Sequence, residues 1–204
     1  QISKAMIKCN VTVRGTVSGE GRNRNNYEGK PFYTVALDVV IPADNGINKT
    51  VKVNVIKDGF VPLFDAPTKG SRVEISGAML IRRRNNEFVF QIQADDWKLD
   101  GVAADDAVSG TMEFRGKVGK RIEERSDKRG KPYLRFSAFS AEKVNDSFEY
   151  TWVNFLQFDA AAPDWLKTGV RIEAEGTLDI NLYNDILGLG CRVLSLKEYV
   201  VPNQ

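Results

Sequence analysis

The sequence states nearly the same pattern twice, about a hundred residues apart. Gly15, Gly29-Lys30-Pro31-Phe32, Val53-Asn54 and Gly70-x-Arg72-Val73-Glu74-x-x-Gly77 recur as Gly116, Gly130-Lys131-Pro132-Tyr133, Val153-Asn154 and Gly169-x-Arg171-Ile172-Glu173-x-x-Gly176. The offset is 101 at Gly15/Gly116 and narrows only to 99 at Gly70/Gly169. A match of order and spacing on this scale reduces the fold to one unit of about 95 residues used twice.

Two domains also suit the 204-residue length, which leaves each half able to bury its own core. The expected division is a first domain over 1–98, a linker over 99–110 and a second domain over 111–204. The linker reading rests on the small, acidic stretch from Gly101 to Gly110, with Asp105-Asp106 as flexible linker acids rather than metal carboxylates. The net charge is only +2 but is unevenly placed: Arg115 to Arg135 holds nine basic residues against three acidic ones. Between Ala94 and Glu113 the balance reverses, so the connection should repel nucleic acid while the repeats attract it.

Several classes are excluded early. There is no histidine, which removes histidine-based catalysis, and Cys9 and Cys191 occupy non-equivalent positions in the two copies. A disulfide framework or Cys/His zinc site is therefore not expected, and a reducing compartment is. No apolar run is long enough for a membrane span. The chain opens at Gln1 without a secretory pattern, and its natural ends are expected to lie beyond this sequence. No nucleotide-binding glycine loop occurs, and no nucleophile, base or metal set converges; no catalytic residue, metal or cofactor is expected.

Each unit reads as five strands. In the first, two-residue alternation runs through Val11–Val17, Val51–Val55, Arg72–Ile75 and Phe88–Ile92, with a β-rich stretch over Phe32–Val40. The second copy offers Met112–Val118, Tyr133–Phe139, Tyr150–Phe158, Arg171–Leu178 and Leu187–Leu196. Only Gly59–Thr68 and Asp159–Lys167, each between strands three and four, could hold a short helix. The expected fold class is all-β: two tandem five-stranded barrels of the OB type, each with at most one short helix between strands three and four. A small β-sandwich is the alternative.

The second repeat, through Gly116-Lys-Val, Gly130-Lys-Pro-Tyr-Leu-Arg-Phe136, Tyr150-Thr-Trp-Val-Asn-Phe-Leu-Gln-Phe158 and Arg171-Ile-Glu-Ala-Glu-Gly-Thr-Leu178, resembles bacterial and phage single-stranded DNA-binding proteins. The first repeat shares the pattern more weakly, through Gly15, Gly29-Lys30-Pro31, Val53-Asn54 and Lys69 to Gly77. The resemblance implies non-sequence-specific binding of single-stranded DNA by tandem OB folds. It also implies a homodimer giving four OB folds, a place in replication, recombination or repair with proteins of those processes as partners, and the cytoplasm of a bacterial or phage-infected cell. In that family's pattern Trp152 and Phe158 stand at base-stacking positions.

Alternation assigns faces independently of the resemblance. Phe114, Gly116, Val118, Leu134, Phe136, Ala138, Thr151, Val153 and Phe155 should point into the second barrel. The opposite face carries Tyr133, Trp152 and Phe158 among Arg115, Lys117, Arg135 and Asn154, rings for bases and cations for phosphates. In the first copy Val11, Val13, Val17, Tyr33, Val35, Leu37, Val51, Val53 and Val55 should be core, leaving Arg14, Phe32, Lys52, Asn54 and Ile56 outside. That face should hold a strand by charge more than by stacking.

Arg82, Arg83 and Arg84 precede an Asn85-Asn86 turn and Phe88, and read as a mobile basic arm. Lys30 and Lys131, in the Gly-Lys-Pro turns, are phosphate contacts secondary to turn chemistry. Tyr183-Asn184-Asp185 reads as the second hairpin's turn, and Trp97 and Trp165 as structural. The function expected is single-stranded DNA binding by stacking and phosphate neutralisation. An OB-fold protein-interaction module of a replication or conjugation complex and an RNA binder are the alternatives.

Overall fold

A computed structural model describes residues 6–200. Its strands are β1 (Met6–Val17), β2 (Arg22–Asn25), β3 (Pro31–Ile41), β4 (Lys49–Asp58), β5 (Arg72–Arg84), β6 (Glu87–Lys98), β7 (Ala107–Ser126), β8 (Pro132–Val144), β9 (Ser147–Phe158), β10 (Arg171–Tyr183) and β11 (Ile186–Glu198). A single 3-10 turn, Leu63–Asp65, lies between β4 and β5, and the matching stretch of the second copy holds only turns.

The order β10-β11-β9-β8-β7-β1-β5-β6-β4-β3-β2 runs as one sheet, and the extra pairings β10–β7 and β1–β3 close it at two places. Each closure makes a five-stranded barrel with repeat order 1-2-3-5-4-1, in which the third strand meets the fifth in parallel (β4 with β6, β9 with β11). That is the OB topology, present twice. All nine side chains assigned to the first barrel's core are buried. So are those assigned to the second, apart from Gly116, which is half-buried. The first interior is chiefly aliphatic, around Val13, Leu37, Ile75, Met79 and Ile92, whereas the second is built on Phe114, Phe136 and Phe155. Phe136 and Phe155 stack at 4.9 Å, with Phe114 edge-on to Phe155 at the same separation.

The repeated residues are mostly scaffold. Gly29 and Gly130 both sit at φ 79°, where a side chain is disfavoured. Each ends a loop in which the side-chain oxygen of Asn26 (amide) or Asp127 (carboxylate) accepts from two backbone N–H groups, the second that of Lys30 or Lys131. Gly77 and Gly176 occupy equivalent bulges between fourth and fifth strands, where an added Cβ would lie 1.9 Å from the Gln93 carbonyl and 2.0 Å from that of Arg192. Cys9 and Cys191 are free and buried; burial pushes each thiol up to about 12, as expected of inert core sulfur.

Three features differ from the sequence reading. The first copy carries an additional short strand, β2, hydrogen-bonded to β3, where the second copy runs β7 without a break to Ser126. Ala107–Gly110, expected in the linker, belong to β7 and pair with Arg14–Val11 of β1. The linker acids also have partners on the first barrel. Asp105 accepts from Arg14 at 2.7 Å, and the Asp106 carboxylate accepts from the Val40 amide at 2.8 Å and from Arg72, which also donates to the Ala103 and Asp105 carbonyls.

The register of β1 against β7 has a further consequence. It sets Asn10 opposite Thr111, and the 101-residue offset that relates Gly15 to Gly116 makes Thr111 the counterpart of Asn10. The two first strands therefore pair about a pseudo-two-fold axis, as identical strands would in an isologous dimer. Each fourth-to-fifth-strand hairpin reaches the other barrel. Arg84 of the β5–β6 hairpin makes a bidentate pair with Glu142 at 3.0 Å, and Lys49 donates to the Asp185 carbonyl of the β10–β11 hairpin at 3.3 Å.

Gly77→Ala and Gly176→Ala should each lower unfolding free energy by about 1–3 kcal/mol, since the new methyl meets backbone rather than a movable side chain. Gly19→Ala, whose Cβ meets nothing within 4 Å, should stay within about 0.5 kcal/mol of the parent. Urea denaturation of the three variants checks both statements.

Candidate nucleic-acid interface

Strand β9 alternates a buried set, Thr151, Val153 and Phe155, with an outer set that begins at Phe148 and continues through Tyr150, Trp152, Asn154, Leu156 and Phe158. The β8–β9 register places Lys143 beside Phe148, Phe139 beside Trp152, Ser137 beside Asn154 and Tyr133 beside Phe158. The outer face is therefore a ladder of rings. Phe148 and Tyr150 lie 6.4 Å apart, Tyr150 and Phe139 5.5 Å, and Phe139 and Trp152 5.0 Å. Phe148, Tyr150, Trp152 and Phe158 remain 44–55% exposed, although burial would stabilise each of them.

Cations border the rings. Lys117 is exposed on β7 opposite Phe139, the Arg192 guanidinium lies 4.5 Å over the Phe158 ring, and Arg135 stands between Tyr133 and Ser137. Gly119, in a bulge of β7, allows the Trp152 indole to lie against the backbone, since a Cβ there would come within 2.6 Å of the ring. Lys131 is exposed beyond the rings in its turn. Asn154 is engaged locally, with the Ser137 hydroxyl donating to its amide oxygen at 2.9 Å. Arg115 is turned to structural contacts, donating to Glu173 at 3.3 Å and covering the Tyr199 ring at 5.3 Å.

The first barrel's equivalent face is different. Phe32 is half-buried on β3, and Lys52 and Asn54 are exposed on β4 as expected. Acids nevertheless accompany the cations: Asp38 lies 3.9 Å from Lys52, Glu28 lies 3.7 Å from Lys30, and Arg14 is shared between Asp105 and Glu74. On the face expected to act chiefly through charge, Arg14, Lys30 and Lys52 thus each already have an acid within 4 Å.

The basic arm lies against the second barrel, and its three arginines diverge. Asn85 and Asn86, at φ 52° and 64°, form the tight turn expected of them. Arg84 is held by Glu142, while Arg82 lines a cleft between the barrels beside Met6 and Lys143. Arg83 alone turns toward the ladder; it covers the Phe88 ring at 5.1 Å and donates to the Asn86 carbonyl at 2.9 Å. Arg83, Asn86 and Phe88 of the first barrel, the Phe148–Asn154 ladder and Ile186–Leu189 of the second enclose one groove of about 540 Å³. Sequence reading did not single out Phe139, Phe148, Tyr150 and Arg192. Alternation carried outward from Trp152 and Ser137 would have found the three rings, whereas Arg192 reaches Phe158 through the parallel β9–β11 pairing, which leaves no local signal.

Neither a family model nor a curated protein matches the sequence. Among solved structures, wild-type single-stranded DNA binding protein from Thermus aquaticus aligns at 15% identity over 99% of this chain and 97% of that chain, with a TM-score of 0.47. A deletion variant of the same protein aligns at 14% identity over 98% of both chains, with a TM-score of 0.46. The protein priB from Ralstonia solanacearum aligns at 14% identity with 44% of this chain and 97% of its own, with a TM-score of 0.34. The fold is a tandem OB fold. That statement rests on the strand order and the two closures. Among the described residues no helix is long and apolar enough to cross a membrane.

Asp106→Ala should cost about 1–3 kcal/mol, because it removes the acceptor from both the Val40 amide and the half-buried Arg72 guanidinium. Arg84→Ala should cost less than Asp106→Ala, since the Arg84–Glu142 ion pair is exposed to solvent on both sides. Thermal and urea denaturation of the two variants tests this ranking.

Proposed function

We propose that this chain is a non-enzymatic single-stranded DNA-binding protein, in which aromatic rings stack on bases and neighbouring cations meet phosphates without reading sequence. The observation that carries the proposal is the exposed ring ladder on β8 and β9, bordered by Lys117, Arg135 and Arg192 and closed on one side by Arg83. Base–ring stacking contributes about 1–3 kcal/mol per base and tolerates any base, which suits a face without a base-edge code. The second barrel would supply most of the stacking. Lys30, Lys52, Asn54 and Phe32 of the first barrel would add weaker contacts along the same strand, Arg82 would act mainly by its charge, and Arg84, paired with Glu142, would contribute mainly by holding the hairpin in place. A net charge of +2 implies modest long-range attraction, so short-range stacking must supply much of the affinity.

The biological setting proposed is replication, recombination or repair in the cytoplasm of a bacterial or phage-infected cell, with proteins of those processes as partners. A homodimer would bring four barrels together. β1 and β7 are spent on each other, so such a dimer would use a different surface. Its solution mass would be twice 22.8 kDa, and a mass of 22.8 kDa at working concentration would contradict it.

Titration with oligo(dT) at low salt should quench tryptophan fluorescence, and Trp152→Ala should weaken binding about 5- to 150-fold, the equivalent of one lost stack. Affinity should fall as salt rises. Equal binding of oligo(U) would favour the RNA reading. Absence of oligo(dT) binding at low salt would overturn the proposal in favour of a protein-interaction module.

A further inference from the structure

Phe148 and Tyr150 are about as exposed as Trp152. They stand at 55% and 48% exposure on the outer face of β9, four and two residues before Trp152. Alternate residues of a strand are about 6.6–6.8 Å apart. A stacked nucleic-acid strand rises about 3.4 Å per nucleotide, so bases laid on these three rings cannot stay stacked on one another. A strand following β9 must be drawn out to about twice its stacked rise, with one base per ring.

The wall facing this row comes from the other barrel. Arg83 is held in place by the Phe88 ring and the Asn86 carbonyl, and among the described residues no carboxylate pairs with it. Glu149 also lines the groove, and its neighbour on the first barrel's hairpin, Arg84, is already paired with Glu142. Arg83 therefore presents toward the drawn-out backbone the guanidinium N–H donors that the Asn86 carbonyl does not take.

Resting on the reading of the chain as a single-stranded DNA binder, we infer that Phe148, Tyr150 and Trp152 form a three-nucleotide stacking row, and that Arg83 of the first barrel holds the phosphate backbone against it. One hairpin thus completes the other barrel's site. The arrangement depends on the pseudo-two-fold pairing of β1 with β7, which brings the β5–β6 hairpin over β9.

The test is fluorescence anisotropy of a labelled oligo(dT) with the full chain and with Phe148→Ala, Tyr150→Ala, Arg83→Ala and the Tyr150/Arg83 double variant, at several salt concentrations. Tyr150→Leu accompanies them, since it keeps an apolar contact for Phe139 while removing the ring face. Each ring variant should weaken binding about 5- to 150-fold. Arg83→Ala should reduce the slope of log affinity against log salt by about 0.7. The double variant should lose less than the product of the two single losses, because both groups hold the same nucleotides. If the parent binds and Trp152→Ala weakens it while Tyr150→Leu and Phe148→Ala bind as the parent does, the three-nucleotide row is wrong and the proposed function stands. Losses that multiply within twofold would show that hairpin and row hold separate segments, which overturns the composite site. A parent that fails to bind at low salt removes the functional reading itself.

Discussion

The antiparallel pairing of β1 with β7 about Asn10 and Thr111 is the constraint on which the rest of the molecule depends. It joins two closed barrels through their equivalent strands, and it satisfies backbone groups that would otherwise form exposed edges. It also explains the length of β7, whose first residues pair with β1 and whose last pair with β8. The pairing fixes where each hairpin goes. The Arg84–Glu142 pair and the Lys49–Asp185 contact secure positions the register has already set, and at their exposure they contribute little energy of their own.

Within this frame the two copies share a scaffold and differ in surface. Turn glycines, bulge glycines and the Asx-type loops recur because the closure of the barrel demands them. The outer faces carry no such demand. One holds Phe139, Tyr150, Trp152 and Phe158, while the other holds Ala36, Asp38, Lys52 and Asn54 at a strand pair with its charges largely matched. The acidic linker reinforces the difference, because Asp105 and Asp106 engage Arg14 and Arg72 of the first barrel only.

How much was legible in the sequence follows from how local each interaction is. Alternation along Val51–Val55 and Thr151–Phe155 is a property of consecutive residues, and it assigned the cores correctly. The same parity placed Trp152 and Phe158 outside, and it would have added Phe148, Tyr150 and Phe139 had it been run the length of both strands. The Asn85-Asn86 turn was visible because its backbone geometry selects those residues. The destination of Arg83 was not visible, since it depends on a register between strands a hundred residues apart. Nor was the fate of Asp105 and Asp106, whose partners lie on β1, β3 and β5.

The central claim is that one composite groove, made by the second barrel's ring ladder and the first barrel's hairpin, is where a single strand lies. Ultraviolet cross-linking of the full chain to oligo(dT), followed by mass spectrometry of the adducted peptides, tests it most directly. The account predicts adducts concentrated on residues 148–158 together with 82–88. Adducts confined to the outer face of β3 and β4, or spread evenly over both barrels, would contradict it.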